Sequence, residues 1–173
     1  MVSRIVLLSV LTVLISGCGS TRQGADFVST SQRIGPPKAG QGRVVVFRES
    51  QGSPIDVGWE LKLDDAPMGA VKAATFVYAD RPAGRHQLSS AAALFPGVSQ
   101  RDVNVTPGRT YFFVAKPSDR AKALIVAQSF GGLAGYAVGA AVTSGDTNPG
   151  PVEFVPLDEA AAREAIATLQ LAE

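Results

Sequence analysis

Short apolar runs separated by turn chemistry recur at roughly ten-residue intervals from Arg43 onward, a rhythm that favours short strands over long helices. Val44-Val45-Val46-Phe47 is continuous and β-branched, which predicts a buried strand within Arg43 to Glu49. Val57 to Asp64 alternates instead. Val57, Trp59, Leu61 and Leu63 fall on one face and Gly58, Glu60, Lys62 and Asp64 on the other, the pattern of a strand with one wet face. Asp64-Asp65-Ala66-Pro67 supplies a turn, and Met68 to Val71 returns as a short partner. Thr75 to Ala79, His86 to Ala91, Val98 to Val105 and Thr110 to Ala115 follow as strand-like segments. Arg81-Pro82-Ala83-Gly84 and Thr106-Pro107-Gly108-Arg109 each set Pro where φ is constrained and Gly where φ can be positive. Together these predict an all-β fold, a six- to seven-stranded antiparallel sandwich over 43–173, with Pro151 to Val155 as a last strand. The tail departs from that rhythm. Asp158 is a natural N-cap, and Ala162, Ala165, Ile166 and Leu169 fall at helical spacing, predicting a short C-terminal helix over 157–171.

Composition excludes several functions. A chain of 173 residues is about one domain. Its 16 basic and 15 acidic side chains give a formal charge of +1, without the basic excess a nucleic-acid partner requires. One cysteine excludes a disulfide framework and a cysteine zinc site, and one histidine excludes a multi-imidazole metal centre. No metal and no cofactor is expected. No phosphate-cradling loop, dinucleotide fingerprint or His-Glu-x-x-His occurs.

The N-terminus carries an address. Arg4 precedes the apolar run Ile5 to Ile15, which has the length of a secretory h-region and is too short to span a bilayer. The run closes on Ile15-Ser16-Gly17-Cys18, which resembles a bacterial lipobox. The resemblance implies cleavage after Gly17 and lipidation of Cys18, with 1–17 as signal peptide. Removing 1–17 also removes Arg4 and leaves a mature chain of zero net charge. Two or three acyl chains make a stable anchor where one is marginal. Gly19 stands where an Asp would imply inner-membrane retention, so the resemblance points to the periplasmic side of the outer membrane in a Gram-negative cell. Residues 18–42, rich in Gly, Ser, Thr, Gln and Pro, read as a lipidated tether. As a coil, Gly19 to Gly42 would span about 25–30 Å.

The order of motifs in the body resembles a family of small bacterial lipoproteins known as domain of unknown function 2846. Its elements are Val44-Val45-Val46-Phe47-Arg48, Leu63-Asp64-Asp65 through Gly69, and Thr75-Phe76-Val77-Tyr78. Pro82-Ala83-Gly84-Arg85-His86 and Pro107-Gly108-Arg109-Thr110-Tyr111-Phe112 complete them. The resemblance covers about Arg43 to Lys116 and implies a transthyretin- or carboxypeptidase-regulatory-like sandwich. It implies no established enzyme activity.

A departure from that family lies in the Gly-rich apolar insertion 124–145. Leu124 to Thr143 holds no charge, and Gly131, Gly135 and Gly139 recur every four residues, the spacing that lets helix backbones approach closely. One reading is a glycine-zipper helix that enters or lies on a membrane or self-associates. The other is a buried helical hairpin arm or a Gly-rich loop packed on the sandwich.

The remaining polar residues read as structural. His86 follows a Gly turn, and a nucleophile relay would need a positioned Ser and a carboxylate beside it. Asp64 and Asp65 read as turn formers, without the loop pattern of a calcium site. Trp59 belongs to the core. Tyr111, Phe112 and Phe113 occupy both faces of one strand, which makes it central, with Phe112 a contact patch if exposed. The chain is therefore expected to be a non-enzymatic, lipid-anchored envelope protein, a binding or structural module held to the membrane through Cys18. Its further contact, with an envelope protein, a membrane or a second copy, would run through Gly131, Gly135 and Gly139. An enzyme acting on envelope material is the weakest alternative, with no catalytic residues assigned.

Overall fold

The computed structural model describes residues 26–50, 56, 58–92 and 95–172. Gly17, Cys18, the rest of the signal and tether segments up to Ala25, and Val57 lie outside the described residues.

Nine strands and three helices follow in the order α1 (Phe27–Ile34), β1 (Gln41–Arg48), β2 (Trp59–Leu63), β3 (Ala66–Val71), β4 (Thr75–Pro82), β5 (Gly84–Ala91), β6 (Ser99–Val105), β7 (Thr110–Pro117), α2 (Asp119–Val142), β8 (Val152–Leu157), α3 (Glu159–Ile166) and β9 (Gln170–Leu171) among the described residues. They make a five-stranded sheet, β8-β7-β1-β4-β9, and a four-stranded sheet, β3-β2-β5-β6. The fold is β-rich, as the turn rhythm predicts. It is not a simple antiparallel sandwich, because β7 runs parallel to β1 and β9 parallel to β4. The reason is connectivity. β5 and β6 belong to the other sheet, so the chain re-enters the first sheet at β7 by a crossover that local turn chemistry does not reveal.

The two faces of β1 explain its unbroken apolar run. Val44 and Val46 pack between the sheets with Leu61, Leu63, Leu88 and Phe113. Val45 and Phe47 point the other way, into a second core with Phe76, Phe112, Ile166 and Leu169. A strand covered on both faces carries no polar alternation. In β2, by contrast, Leu61 and Leu63 are buried while Glu60 and Lys62 face water.

The second core exists because α1 and α3 form a third layer. For α3 the expectation holds locally: the Asp158 carboxylate accepts from the Ala161 amide at 2.9 Å, and Ala162 and Ile166 are fully buried. The helix ends at Ile166, short of 171, and the chain turns into β9. For α1 the expectation fails. Residues 27–34, read as tether, form a helix whose N-cap Asp26 accepts from the Ser29 amide at 2.7 Å. Phe27 sets its ring edge-on against Phe76 and Phe112, with centroids 5.4 and 6.0 Å away. One aromatic and one cap suffice to dock a mostly polar helix, which composition alone hides. Arg43 then fixes the far end, forking onto Asp80 at 2.6 and 2.8 Å and donating to the Gly35 carbonyl.

One end of the five-stranded sheet gathers several chain passages. There Arg48 pairs with Thr75, Thr75 with Gln170, and Asp26 bridges Gln170. The last residue of β7, Pro117, pairs with the first of β8, Val152, at that same end. Helix α2 lies between those two residues in the chain, so it is rooted there.

Candidate functional site

Helix α2 is not one straight rod. Ser118 caps it, its hydroxyl accepting from the Ala121 amide at 3.0 Å and donating to the Gly150 carbonyl at 2.7 Å. At Gly132 the backbone leaves the helix, with φ 57° and ψ −143°, values open to glycine and strained for other residues. The chain reverses. Residues 119–131 and 133–142 run back along each other as the two arms of a hairpin, with Arg120 near Ala140 and Thr143, and Leu124 near Gly139.

The glycine series divides on that hairpin. A Cβ on Gly135 would lie 2.2 Å from the Ala127 carbonyl oxygen. One on Gly139 would lie 3.0 Å from Leu124 Cδ2 and 3.2 Å from Ala127 Cβ. A Cβ on Gly131 would meet nothing within 4 Å. The small-residue spacing therefore serves an approach between arms of the same chain, and a single glycine-zipper helix is replaced by a self-paired hairpin. The reversal falls at Gly132, outside the series; the doublet Gly131-Gly132 was its sequence signal.

Arg120 is the second residue the sequence did not single out. Its side chain is buried at the hairpin root. Nε donates to the Thr143 hydroxyl at 2.9 Å and Nη2 to the Ala140 carbonyl at 3.1 Å, both on the second arm. Nη1 donates to the carbonyls of Pro96 and Pro149. One planar cation thus holds both arms and two loops together. Its place next to an uncharged run was the only hint.

Beyond that root most of the hairpin's surface faces solvent. Of the eight large apolar side chains exposed among the described residues, six belong to it: Ile125, Val126, Phe130, Leu133, Val138 and Val142. Phe130 and Leu133, flanking the reversal, are 89% and 82% exposed. Between hairpin and body lies a groove of about 440 Å³, lined by Trp59, Phe95 and Pro117 of the body, by Leu124, Ile125 and Gln128 of the first arm, and by Leu133 and Tyr136 of the second.

The polar residues weighed in the sequence lie elsewhere. Asp64 and Asp65 form the two-residue turn between β2 and β3, with φ 53° and 63°. His86 Nδ1 lies 2.5 Å from Asp64 Oδ2 and Nε2 2.8 Å from the Pro82 carbonyl oxygen, while the Gln87 amide donates to Asp64 Oδ1 at 2.9 Å. Both imidazole nitrogens are thus engaged in tying the turn to β5. Burial acts to raise the Asp64 carboxyl, but hydrogen bonds from His86 and Gln87 and attraction to His86 and Arg81 hold it below the usual carboxylate range. Trp59 packs against the core under the Arg48 guanidinium, 4.0 Å from its ring centroid. Phe112 is buried beneath Phe27, so the contact patch conditional on its exposure is not there; β7 is interior, as the three aromatics imply.

No family model matches this sequence, and no curated protein matches it.

Proposed function

We propose that this chain is a lipid-anchored envelope protein of binding or structural type, held through Cys18 on the periplasmic side of the outer membrane. In this reading its β-rich body presents the hairpin as the working contact. The observation that carries it is the contrast in apolar exposure. Among the described residues the body buries most of its large apolar side chains in two cores and exposes only Val28 and Val98, while the much shorter hairpin leaves six in solvent. Exposed apolar surface of that concentration marks an interaction site. The lipobox-like Ile15-Ser16-Gly17-Cys18 supports the anchor, and the order of motifs from Arg43 to Lys116 supports kinship with the domain of unknown function 2846 lipoproteins.

The reading is non-enzymatic because the residues nearest to a catalytic set have structural work. His86 and Asp64 are bound to one another and to neighbouring backbone. The test is mass spectrometry of the natural product. A diacylglyceryl group on Cys18 as the first residue is expected; an unmodified thiol behind an intact leader overturns the anchor. Crosslinking in intact cells, with and without residues 124–145, should then show capture that depends on the hairpin.

A further inference from the structure

An envelope contact through the hairpin could be made with protein or with lipid. We propose that the hairpin enters one leaflet of a lipid bilayer, tip first, on the side where the Cys18 acyl chains lie. The inference rests on the lipid-anchor reading only for that last clause.

Three observations favour lipid as the occupant. The first is the distribution of apolar groups around the hairpin. Ile125 and Val126 are consecutive and so about 100° apart around the first arm, with Phe130 one turn beyond Val126. Ala134, Val138 and Val142 make an outward row on the second arm, while Leu133 and Ala137 make another. A groove in a protein partner covers one face and leaves a polar one. Here both arms are apolar on several faces, which suits a solvent that surrounds them.

The second is charge and length. Residues 123–145 hold no ionisable charge, and the charges resume at Lys122 and Asp146, both at the root. From Lys122 to the reversal, at about 1.5 Å per residue, the arm extends about 15 Å. A hydrocarbon core of about 30 Å makes that one leaflet deep. Although residues 119–142 are together long and apolar enough to cross a membrane as one helix, the turn at Gly132 halves their reach. Each arm pairs its own backbone as a helix, which lipid demands, and leaves helix-end groups to be satisfied only at the reversal. The Ser129 hydroxyl returns to the Ile125 carbonyl at 2.8 Å, and Gln128 lines the groove on the body side.

The third is where the chain enters the fold. Asp26 bridges Gln170 at the sheet end from which the hairpin springs. Asp26 adds a place beyond β9 in the order β8-β7-β1-β4-β9, so it lies four strand spacings from β7, about 19 Å. Eight peptide steps separate Cys18 from Asp26, a reach of at most about 29 Å. A lipid on Cys18 and the hairpin tip can therefore occupy the same leaflet without strain, with the strands standing end-on to the membrane. Two shallow attachments would fix the orientation of the body, which one lipid cannot do.

The test uses the natural full-length product in vesicles of phosphatidylethanolamine and phosphatidylglycerol. Leu133→Trp is introduced with Trp59→Phe, so that the tip carries the sole tryptophan. Blue-shifted emission is expected, quenched several-fold more by lipids brominated along the acyl chain than by aqueous iodide. Emission as in water, quenched by iodide, overturns the proposal. Blue-shifted emission insensitive to brominated lipid, with the chain crosslinking to itself, overturns it in favour of a second copy as occupant. Phe130→Ser in the same background controls for misfolding. It should retain the circular dichroism of the parent and lose most of the bromolipid quenching; unchanged quenching also counts against insertion. The mass of the same sample reads Cys18 separately, so a quenched tip on an unlipidated chain removes the anchor and leaves insertion standing. A lipidated chain with a wet tip does the reverse.

Discussion

The β-rich body and the hairpin use similar residues to opposite ends. In the body, Phe47, Phe76, Val45 and Ile166 are removed from water by other parts of the chain. In the hairpin, glycines bring two backbones together so closely that, Leu124 apart, the large aliphatic and Phe side chains are turned outward. Ala and Gly at the seam contribute little apolar area, so the arms are held by close approach and by Arg120 rather than by a core. The lesson is that the body covers its own apolar groups while the hairpin leaves most of its own in solvent.

Truncating one aromatic in each region should break the symmetry most visibly. Phe76→Ala, fully buried, is expected to destabilise the domain by about 3–5 kcal/mol. Phe130→Ala, 89% exposed, should stay within about 0.5 kcal/mol in water. Urea midpoints measured in detergent-free solution compare them directly, and equal losses would mean the hairpin tip has a protein partner on its own domain.

Arg120→Met comes next. It removes the donors to Thr143, Ala140, Pro96 and Pro149 at once, and about 2–3 kcal/mol is expected from charged hydrogen bonds of this kind. Hydrogen exchange should show the loss concentrated in residues 119–143 while β1 and β4 keep their protection. Lysine at this position should rescue only in part, because an ammonium cannot reproduce the planar fork.

Gly135→Ala and Gly131→Ala sharpen the contrast inside the hairpin. The first places a methyl 2.2 Å from a backbone oxygen and should spread the arms at a cost of about 1–3 kcal/mol, whereas the second meets nothing within 4 Å. Amide exchange along Ala127 to Gly139 distinguishes them, with Gly131→Ala close to the parent.

The smallest effect belongs to the body. Asp64 is held below the usual carboxylate range in the folded state, so its contribution is present above the unfolded value and is lost as pH falls through the folded one. The side chain is 41% exposed and screened by solvent, so about 1 kcal/mol or less is expected. Asp64→Asn should flatten the acid limb of a stability–pH curve by that amount and leave neutral pH behaviour of the hairpin untouched.

Local pattern made several elements legible. The unbroken Val44-to-Phe47 run, the alternation ending in Leu61 and Leu63, and the Asp158 cap before Ala162 and Ile166 each report a nearby backbone geometry. The misses share a different character. Helix α1 was hidden because, among its described side chains, only Phe27 and Thr30 are buried, too few to shift its composition. The parallel pairings of β7 and β9 depend on which sheet the intervening strands join. At the hairpin, Gly131, Gly135 and Gly139 announced a close approach without naming the partner, and the conformation that names it sits at Gly132.

What the amino-acid order decided, then, is whatever a few neighbouring residues settle among themselves: where strands begin and end, which faces are apolar, where charge is withheld for the length of a hairpin. Only the folded chain decided which apolar faces find cover. Cover depends on segments brought together from distant positions, as Phe27 onto Phe112 or Arg120 onto Thr143. By the same measure it left Phe130 and Leu133 largely uncovered, because the seam between the arms is closed by glycines and only one side of the hairpin faces the groove on the body.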